Sequence, residues 1–594
     1  MQAVSTSPFN LSMLRKHNVW YTIKDGNWSD PAVWIGNGTK RYSVPQLGDD
    51  VVINHTVTMD VGTITINNLY VSGSLTTLAS PQVTLTINGD CQVSGSGLIS
   101  LPLYFHNLVL NGYNNIIPYA GFNAGSYSTV TYNGVFDQAI LNIPYHNLTT
   151  QNGNKYQVAD ITTLGNFNAN SNYECGSHNL IVNGTSTLGN LSGGIFSKSG
   201  SGNILLVGYA QFEGVNMTGN PNVELRGGML IFGFNITPGS GVFTFSTNSQ
   251  NIDCTTYLGG VWNASIIVSG AITVTLTGTS KFQVDNTING TVGGSTFNNT
   301  GVLYLGYNAT PMTTGVFNYQ YSSTSTVGYA FNGSYTLPYS TYANLAIAGT
   351  GTKILGANTV IGQAFTNNGG FDTNGYNLTV SGAFTDGGGG GGGDFTSNAF
   401  SNILFIGFAE LQPSGSIGFD LTTGNPNVEF RGGVQMYSGS PIKTGNGIYS
   451  FTTNNQTVNF GAYNNGSSTA NFLISGAITI TFTSGATIPN FTGTLNGDNA
   501  SSVFDCRGTF MYQNATAPMA TGKLYCNQAA NTFIYGLAGG QDITVPSDST
   551  PGYQNLTLNG SGAKRLLGNA SVKGTYTLTS PATLNSNGFN LTNP

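Results

Sequence analysis

The sequence predicts an all-β chain, a right-handed parallel β-helix (β-solenoid) with duplicated units. Three observations lead to that fold. Apolar and polar residues alternate in short runs, as in Ile64-Thr65-Ile66 and Val83-Thr84-Leu85-Thr86-Ile87, so that alternate side chains fall on opposite faces of a strand. The runs close on Gly or Asn, residues that tolerate the left-handed backbone of a tight corner. The strand-and-corner unit then recurs along the chain, and no amphipathic helical period extends beyond a couple of turns. An array of β-sandwich domains is the alternative, because long in-order duplication suits both. The rung-like spacing of Asn-Leu-Thr-Val-x-Gly segments favours the solenoid.

The recurring unit is clearest in its middle copy. It runs from Tyr342-Ala343-Asn344-Leu345-Ala346-Ile347 through Gly351-Thr352-Lys353-Ile354-Leu355-Gly356 to Asn377-Leu378-Thr379-Val380-Ser381-Gly382. The last copy runs from Tyr553-Gln554-Asn555-Leu556 through Gly562-Ala563-Lys564-Arg565-Leu566-Leu567-Gly568 to Asn590-Leu591-Thr592. A diverged first copy holds Tyr145-His146-Asn147-Leu148-Thr149 and Asn179-Leu180-Ile181-Val182-Asn183-Gly184.

Composition fits this reading. Of 594 residues only 7% are charged, and Gly contributes 83, while aromatics reach 11%. Thr, Ser and Asn supply the remaining polarity, and such side chains stack along a sheet without like-charge repulsion. The dense β-branched and aromatic content can bury a core, so the chain reads as ordered. Net charge is −6 with no basic patch, which argues against nucleic-acid binding. No apolar run approaches a membrane span, so membrane insertion is not expected. The first ten residues lack the basic-then-apolar order of a signal peptide; a complete chain of this kind is expected to be made in a cytoplasm. The five cysteines, Cys91, Cys175, Cys254, Cys506 and Cys526, are odd in number and scattered, which suggests buried thiols rather than a disulfide framework.

Residues 1–19 form an N-terminal leader, either a docking peptide or a cap over the open end of the stack. Residues 20–199 are a Trp-rich cap and first β-helix segment. Here Gly26-Asn27-Trp28-Ser29-Asp30-Pro31-Ala32-Val33-Trp34 precedes Val44-Pro45-Gln46-Leu47-Gly48-Asp49-Asp50-Val51-Val52-Ile53, and Asn68-Leu69-Tyr70-Val71-Ser72-Gly73 follows. Bulky tryptophans can plug the end of a strand stack, and Asp30-Pro31 and Gly48-Asp49 supply turns. Over roughly residues 26–73 this segment resembles the opening of parallel β-helix regions in large surface proteins of Bacteroidetes-type bacteria and their phages.

Beyond residue 200 whole blocks repeat in order. Asn203-Ile204-Leu205-Leu206 matches Asn402-Ile403-Leu404-Phe405. Asn220-Pro221-Asn222-Val223-Glu224-Leu225-Arg226-Gly227-Gly228 matches Asn425-Pro426-Asn427-Val428-Glu429-Phe430-Arg431-Gly432-Gly433. Ser269-Gly270-Ala271-Ile272-Thr273 matches Ser475-Gly476-Ala477-Ile478-Thr479, again about 200 residues on. Solenoid units are accordingly placed at 200–399 and 400–594. The glycines Gly387–Gly393 lie near their junction and read as a surface loop or hinge.

No catalytic, cofactor-binding or metal-ligating residue is assigned. His17, His55, His106, His146 and His178 show no metal-ligand spacing, and there is no Cys-x-x-Cys, nucleophile elbow or phosphate loop in context. The glycine run ending at Asp394 matches a calcium-binding repeat only trivially, without its apolar position. Glu224 with Arg226 and Glu429 with Arg431 stand two apart on a strand, share a face and read as structural pairs. A glycosidase needs two carboxylates about 5–9 Å apart. Glu224 with Asp253 and Asp498 with Asp505 are the pairs to examine, although nothing in the sequence joins them. Tyr307, Tyr319 and Tyr321 are candidates for stacking on sugars.

The resemblance implies a structural virion protein, the tail fibre or spike of a phage or phage-like particle, located in the virion and contacting the host cell surface. It further implies a homotrimer; the position and local positive charge of the leader point to attachment to other virion proteins through the N-terminal segment, with a host surface glycan or protein as the expected partner. The alternatives are the repeat region of a bacterial cell-surface adhesin and a polysaccharide-degrading tailspike. No cofactor is expected.

Overall fold

The computed structural model describes residues 18–593 apart from 38, 41–42, 103–104, 201, 234–235, 258, 308–309, 388–393, 412–418, 437–442, 460–466, 484, 486 and 549–551. Nearly all of the leader and all of the glycine run except Gly387 therefore lie outside the described residues. The chain is 50% strand and 1% helix, and its stacked parallel sheets form a β-solenoid of about 23 turns.

Alternation sets the winding. Leu85 pairs in register with Ile64 on the turn before and Leu108 on the turn after; Leu108 leads on to Val130 and Leu148. All five are buried, whereas Thr65, Thr86, Thr131 and Thr149 on the same strands face outward. Each turn thus takes roughly 20 residues. Each buried aliphatic side chain contributes about 1.5–3 kcal/mol, and a slip of one residue would turn the whole ladder outward. Parallel pairing in register leaves no place for the sandwich alternative in these stacks.

Antiparallel pairing occurs at the N-terminal cap, where strand Val19–Thr22 lies parallel to Asp50–Ile53 on one edge and antiparallel to Trp34–Gly36 on the other. Trp20, Trp28 and Trp34 are all buried there. Trp34 Nε1 donates to the Trp28 carbonyl at 2.9 Å, their rings meet edge-on at 4.9 Å, and Trp20 Nε1 donates to Asp49 at 2.8 Å. Asp30 caps the short 3-10 turn that starts at Pro31.

The chain divides into two compact units, one comprising 1–301 with 311–318 and the other 302–310 with 319–594. In the first, a sixteen-stranded and a seven-stranded sheet carry most of the stack; in the second, an eight-stranded sheet runs from Thr341–Tyr342 to Leu495–Gly497. Aromatic side chains continue from turn to turn inside the second unit. Phe384, Phe405, Phe430 and Phe451 stack nearly parallel, with ring centroids 4.6, 5.5 and 5.6 Å apart. Parallel turns bring equivalent rings to about the 4.8 Å strand spacing, which suits offset stacking.

The three copies of the recurring unit share one interior device. Tyrosine hydroxyls pair at Tyr132–Tyr145 (2.8 Å), Tyr329–Tyr342 (3.2 Å) and Tyr535–Tyr553 (2.8 Å). Shortly after each pair, a fully buried lysine ends among backbone carbonyls. Lys353 Nζ donates to the carbonyls of Phe331 (3.1 Å), Gly333 (2.9 Å), Thr350 (3.2 Å) and Gly351 (3.3 Å). Lys564 reaches those of Leu537, Gly539 and Ser561, and Lys155 those of Gly134 and Asn152. Burial pulls the Lys155 and Lys353 ammonium groups down to about 8, which leaves them mostly charged at neutral pH. The lysines satisfy corner carbonyls that would otherwise be buried without a donor.

Candidate functional site

Most of the residues at which the sequence suggested chemistry are engaged by near neighbours. Glu224 and Asp253 lie on strands of different sheets, and Asp253 is engaged by the Thr255 amide (2.9 Å) and hydroxyl (2.6 Å). Asp498 accepts from Ser475 and the Gly476 amide, while Asp505 pairs with Arg507 at 2.6 Å. His55 bonds Thr22, buried His106 accepts from the Val83 amide, His146 packs edge-on against Tyr127 and His178 lies 3.7 Å from Asp160. His17 falls outside the described residues. Among the described residues, no three His, Cys, Asp or Glu side chains are grouped to hold a metal ion. All five cysteines are free and buried, and burial pushes the Cys91, Cys175, Cys254 and Cys526 thiols upward. Tyr319 is stacked on Tyr339 at 4.0 Å, so one ring face is already covered; Tyr321 is exposed.

Glu224/Arg226 and Glu429/Arg431 behave differently from these. Strand Val223–Leu225 buries Val223 and Leu225 and presents Glu224 outward; strand Asn427–Phe430 does the same with Glu429. Arg226 Nε donates to Glu224 Oε1 at 2.8 Å, and Ser246 on the next turn donates to the same oxygen at 2.6 Å. In the second copy, Arg431 Nε donates to Glu429 Oε1 at 2.7 Å and Thr452 donates at 2.6 Å. Burial acts to raise both carboxyls, but hydrogen bonds from the neighbouring hydroxyl and arginine, together with the arginine charge, outweigh it and hold them below the usual glutamate value. Contact through Nε alone leaves the Nη groups of both arginines unpartnered among the described residues. All four side chains are about one-third exposed.

The strand ends behind each pair are braced alike. Gln250 donates to the carbonyls of Leu225 (2.9 Å) and Ser246 (2.8 Å) and accepts from the Gly228 amide (2.9 Å). Gln456 repeats this with Phe430 (2.7 Å), Thr452 (2.8 Å) and Gly433 (3.2 Å). The adjacent turns carry the same left-handed residues, Thr247 at φ 75° and Thr453 at φ 74°.

Each pair belongs to a longer outward column. In the first unit, successive turns place Ile181, Leu205, Glu224, Thr244, Ile267 and Asn289 side by side. In the second the column reads Thr379, Leu404, Glu429, Ser450, Leu473 and Asn496. Leu, Glu and Asn are identical between the columns, Thr244/Ser450 and Ile267/Leu473 are replaced in kind, and Ile181/Thr379 differ. On the neighbouring sheet of each unit the outward residues Gln211, Leu230, Asn251 and Asp253 stand opposite Glu410, Gln435, Thr457 and Asn459, while Thr187/Thr385, Thr273/Thr479, Thr275/Thr481 and Thr277/Thr483 are kept.

In the first unit a groove of about 410 Å³ opens on this column, lined by Ile181, Leu205, Glu224, Thr244 and by Asn179, Asn203 and Asn222 at the strand starts. The asparagine oxygens are partly spent on the next turn: Asn179 Oδ1 accepts from the Asn203 amide (2.8 Å), and Asn222 Oδ1 from the Val242 amide (3.0 Å). The Nδ2 groups of Asn203 and Asn222 have no partner among the described residues. The corner beside Arg226 exposes Tyr209, and the matching corner beside Arg431 exposes Phe408.

Comparison with family models, with curated proteins and with solved structures finds no match. No described helix is long and apolar enough to cross a membrane. The sequence pointed to Glu224/Arg226 and Glu429/Arg431 as structural pairs and missed the columns around them. Those columns become visible only when the turn length of each rung is known, because their members are about 20 residues apart.

Proposed function

We propose that this chain is a structural virion protein, the tail fibre or spike of a phage or phage-like particle, and that it contacts the host cell surface through the two outward Glu–Arg columns. One observation carries the reading: the two copies repeat the outward Glu–Arg pair with its hydroxyl donor and the flanking Leu and Asn, while on the neighbouring sheet only threonines are kept and Gln211, Leu230, Asn251 and Asp253 are exchanged. Interior residues are kept by packing, but a half-exposed column gains little from it, and exposed ion pairs contribute only about 0–1 kcal/mol. Retention at such positions is what a binding surface requires. The resemblance of residues 26–73 to phage and surface β-helix proteins gives the setting, with a homotrimer as the expected assembly and the N-terminal segment as the expected attachment.

Binding without catalysis is the role that fits the electrostatics. A glycosidase acid must keep its proton near neutral pH, and Glu224 and Glu429 are shifted the opposite way. Asp386, raised to about 7 by burial, lies inside the stack bonded to Asn367, where no substrate reaches it.

Antibodies against the purified chain provide the test. On particles from cultures that carry the coding sequence, they should decorate projecting fibres in electron micrographs and block adsorption to host cells. Decoration of intact bacterial cells with no label on particles would sink the virion reading in favour of an adhesin. Light scattering should give about three times the chain mass of 62.1 kDa.

A further inference from the structure

Three features of the columns specify a ligand. The first is charge. Within the six positions of each column and the strand end beside them, charge is confined to Glu224 with Arg226 and Glu429 with Arg431, each pair neutral overall, on a chain of net charge −6. Such a surface offers no attraction to a polyanion. The second is hydrogen-bonding character. Glu224 keeps an unshared carboxylate oxygen, and Asn203 and Asn222 keep amide donors, beside the aliphatic side chains of Ile181 and Leu205, while Arg226 keeps its Nη donors at the strand end. Donors and acceptors interleaved with a small apolar floor suit a pyranose ring, whose hydroxyls lie around its edge and whose C–H groups cover its faces. The third is repeat length. Successive turns are about 4.8 Å apart, close to the advance of one sugar ring in an extended glycan. Consecutive rings can therefore meet the equivalent positions Leu205, Glu224 and Thr244.

We propose that each column binds a neutral, hydroxyl-rich glycan chain laid across successive turns, with Glu224 and Arg226 in the first unit and Glu429 and Arg431 in the second as its central polar contacts. This rests on the surface-recognition reading above and adds to it the ligand class and the two sites. A carboxylated or phosphorylated glycan would meet no unpaired cation here.

Affinity electrophoresis of the full chain tests the proposal. Native gels would contain neutral α- and β-glucans, mannans or galactans, and parallel gels the acidic polymers alginate or polygalacturonate. At least one neutral polymer should retard the protein, equally at low and high salt. The double variant Glu224→Gln/Glu429→Gln should bind at least tenfold more weakly, because it breaks both carboxylate–guanidinium arrangements, while its unfolding midpoint stays at the wild-type value. Each single variant keeps one intact site and should fall between. Retardation by no neutral polymer, by acidic polymers alone, or equally in wild type and double variant would overturn the proposal. Neutral-glycan binding in a protein whose antibodies fail to label particles would remove the virion assignment and leave the two sites standing.

Discussion

Lys353 and Glu224 are both polar, both are held by groups on adjacent turns, and both have counterparts elsewhere in the chain. Their surroundings separate them. Lys353 is fully buried, its ammonium enclosed by four backbone carbonyls and set over the Phe331 ring at 4.5 Å. Glu224 is half-buried, shares one oxygen between Arg226 and Ser246, and leaves the other to solvent. The lysine recurs three times because corners of this shape need an internal donor. The glutamate recurs twice, each time with its arginine, its hydroxyl donor and the outward leucine of the turn before. Repetition alone therefore does not mark function in a duplicated solenoid; repetition at positions that packing leaves free does. The comparison predicts that changes to the interior groups alter stability and changes to the columns alter binding.

The largest effect is expected at the caged lysine. Lys353→Met keeps the stem but removes the donor, leaving carbonyls of Phe331, Gly333, Thr350 and Gly351 without it. The cost should be about 3–5 kcal/mol, because several buried carbonyls lose their donor at about 1–3 kcal/mol each while the desolvation of the ammonium is relieved in return. Denaturant unfolding of the second unit should show it as a lower midpoint, with glycan retardation intact in the folded protein. A midpoint equal to wild type would mean that the cage is dispensable and that its threefold recurrence needs another cause.

Asp386 comes next, and its sign is opposite. Burial first, then the charge of Asp394, raises its carboxyl to about 7 from 3.8, against a hydrogen bond from Asn367. The folded state thus holds a proton that the unfolded state releases above pH 3.8. Stability from this group is full below that value, falls as pH rises towards 7, and is level above it. Asp386→Asn mimics the protonated form and keeps the contact with Asn367. It should stabilise the protein at pH 8 by something on the order of 2–4 kcal/mol and do little at pH 4. Equal midpoints for variant and wild type at pH 8 would show that the carboxylate is solvated after all.

Below these stands the glutamine brace. Gln250→Ala removes two donors and an acceptor at the corner behind the first column and should cost about 1–3 kcal/mol. Gln456→Ala should do the same in the second unit. Because these residues fix the strand ends that carry Arg226 and Arg431, they also connect the two halves of the comparison. Losses confined to stability would show that the columns tolerate a loosened corner; a loss in glycan retardation as well would make the braces positioning residues.

What the sequence revealed follows the range of the interactions. Strand alternation and Gly/Asn corners are local, so the solenoid, its repeats and the buried tryptophans at the start were legible directly. Lys353 and Lys564 stood in plain sight within the repeat, but their role depends on carbonyls some 20 residues earlier on another turn. Lys155 was missed altogether, because the first copy has diverged and its corner reads Asn152-Gly153-Asn154-Lys155. Cys506 and Cys526 appeared scattered, yet they follow in register from Asp505 and Tyr525 on successive turns. The Glu–Arg pairs, two residues apart, were visible; the columns that give them meaning were not.

The smallest effect is the one that sharpens the comparison most. Gln211→Glu, Leu230→Gln and Asn251→Thr each give the first unit the residue that the second unit already carries at that place on the neighbouring sheet. Since both states occur in the same fold, each exchange should move the unfolding free energy by less than about 0.5 kcal/mol. Glycan retardation should not change. Leu205→Gln is the matched change on the retained column. It too is half-exposed and should be nearly neutral for stability, yet it removes part of the apolar floor beside Glu224 and should weaken glycan retardation in the background of Glu429→Gln, where only the first site remains. If the exchanges on the neighbouring sheet weaken retardation as much as Leu205→Gln does, the retained column has no special role, and the Glu–Arg pairs return to being structural residues like the lysines.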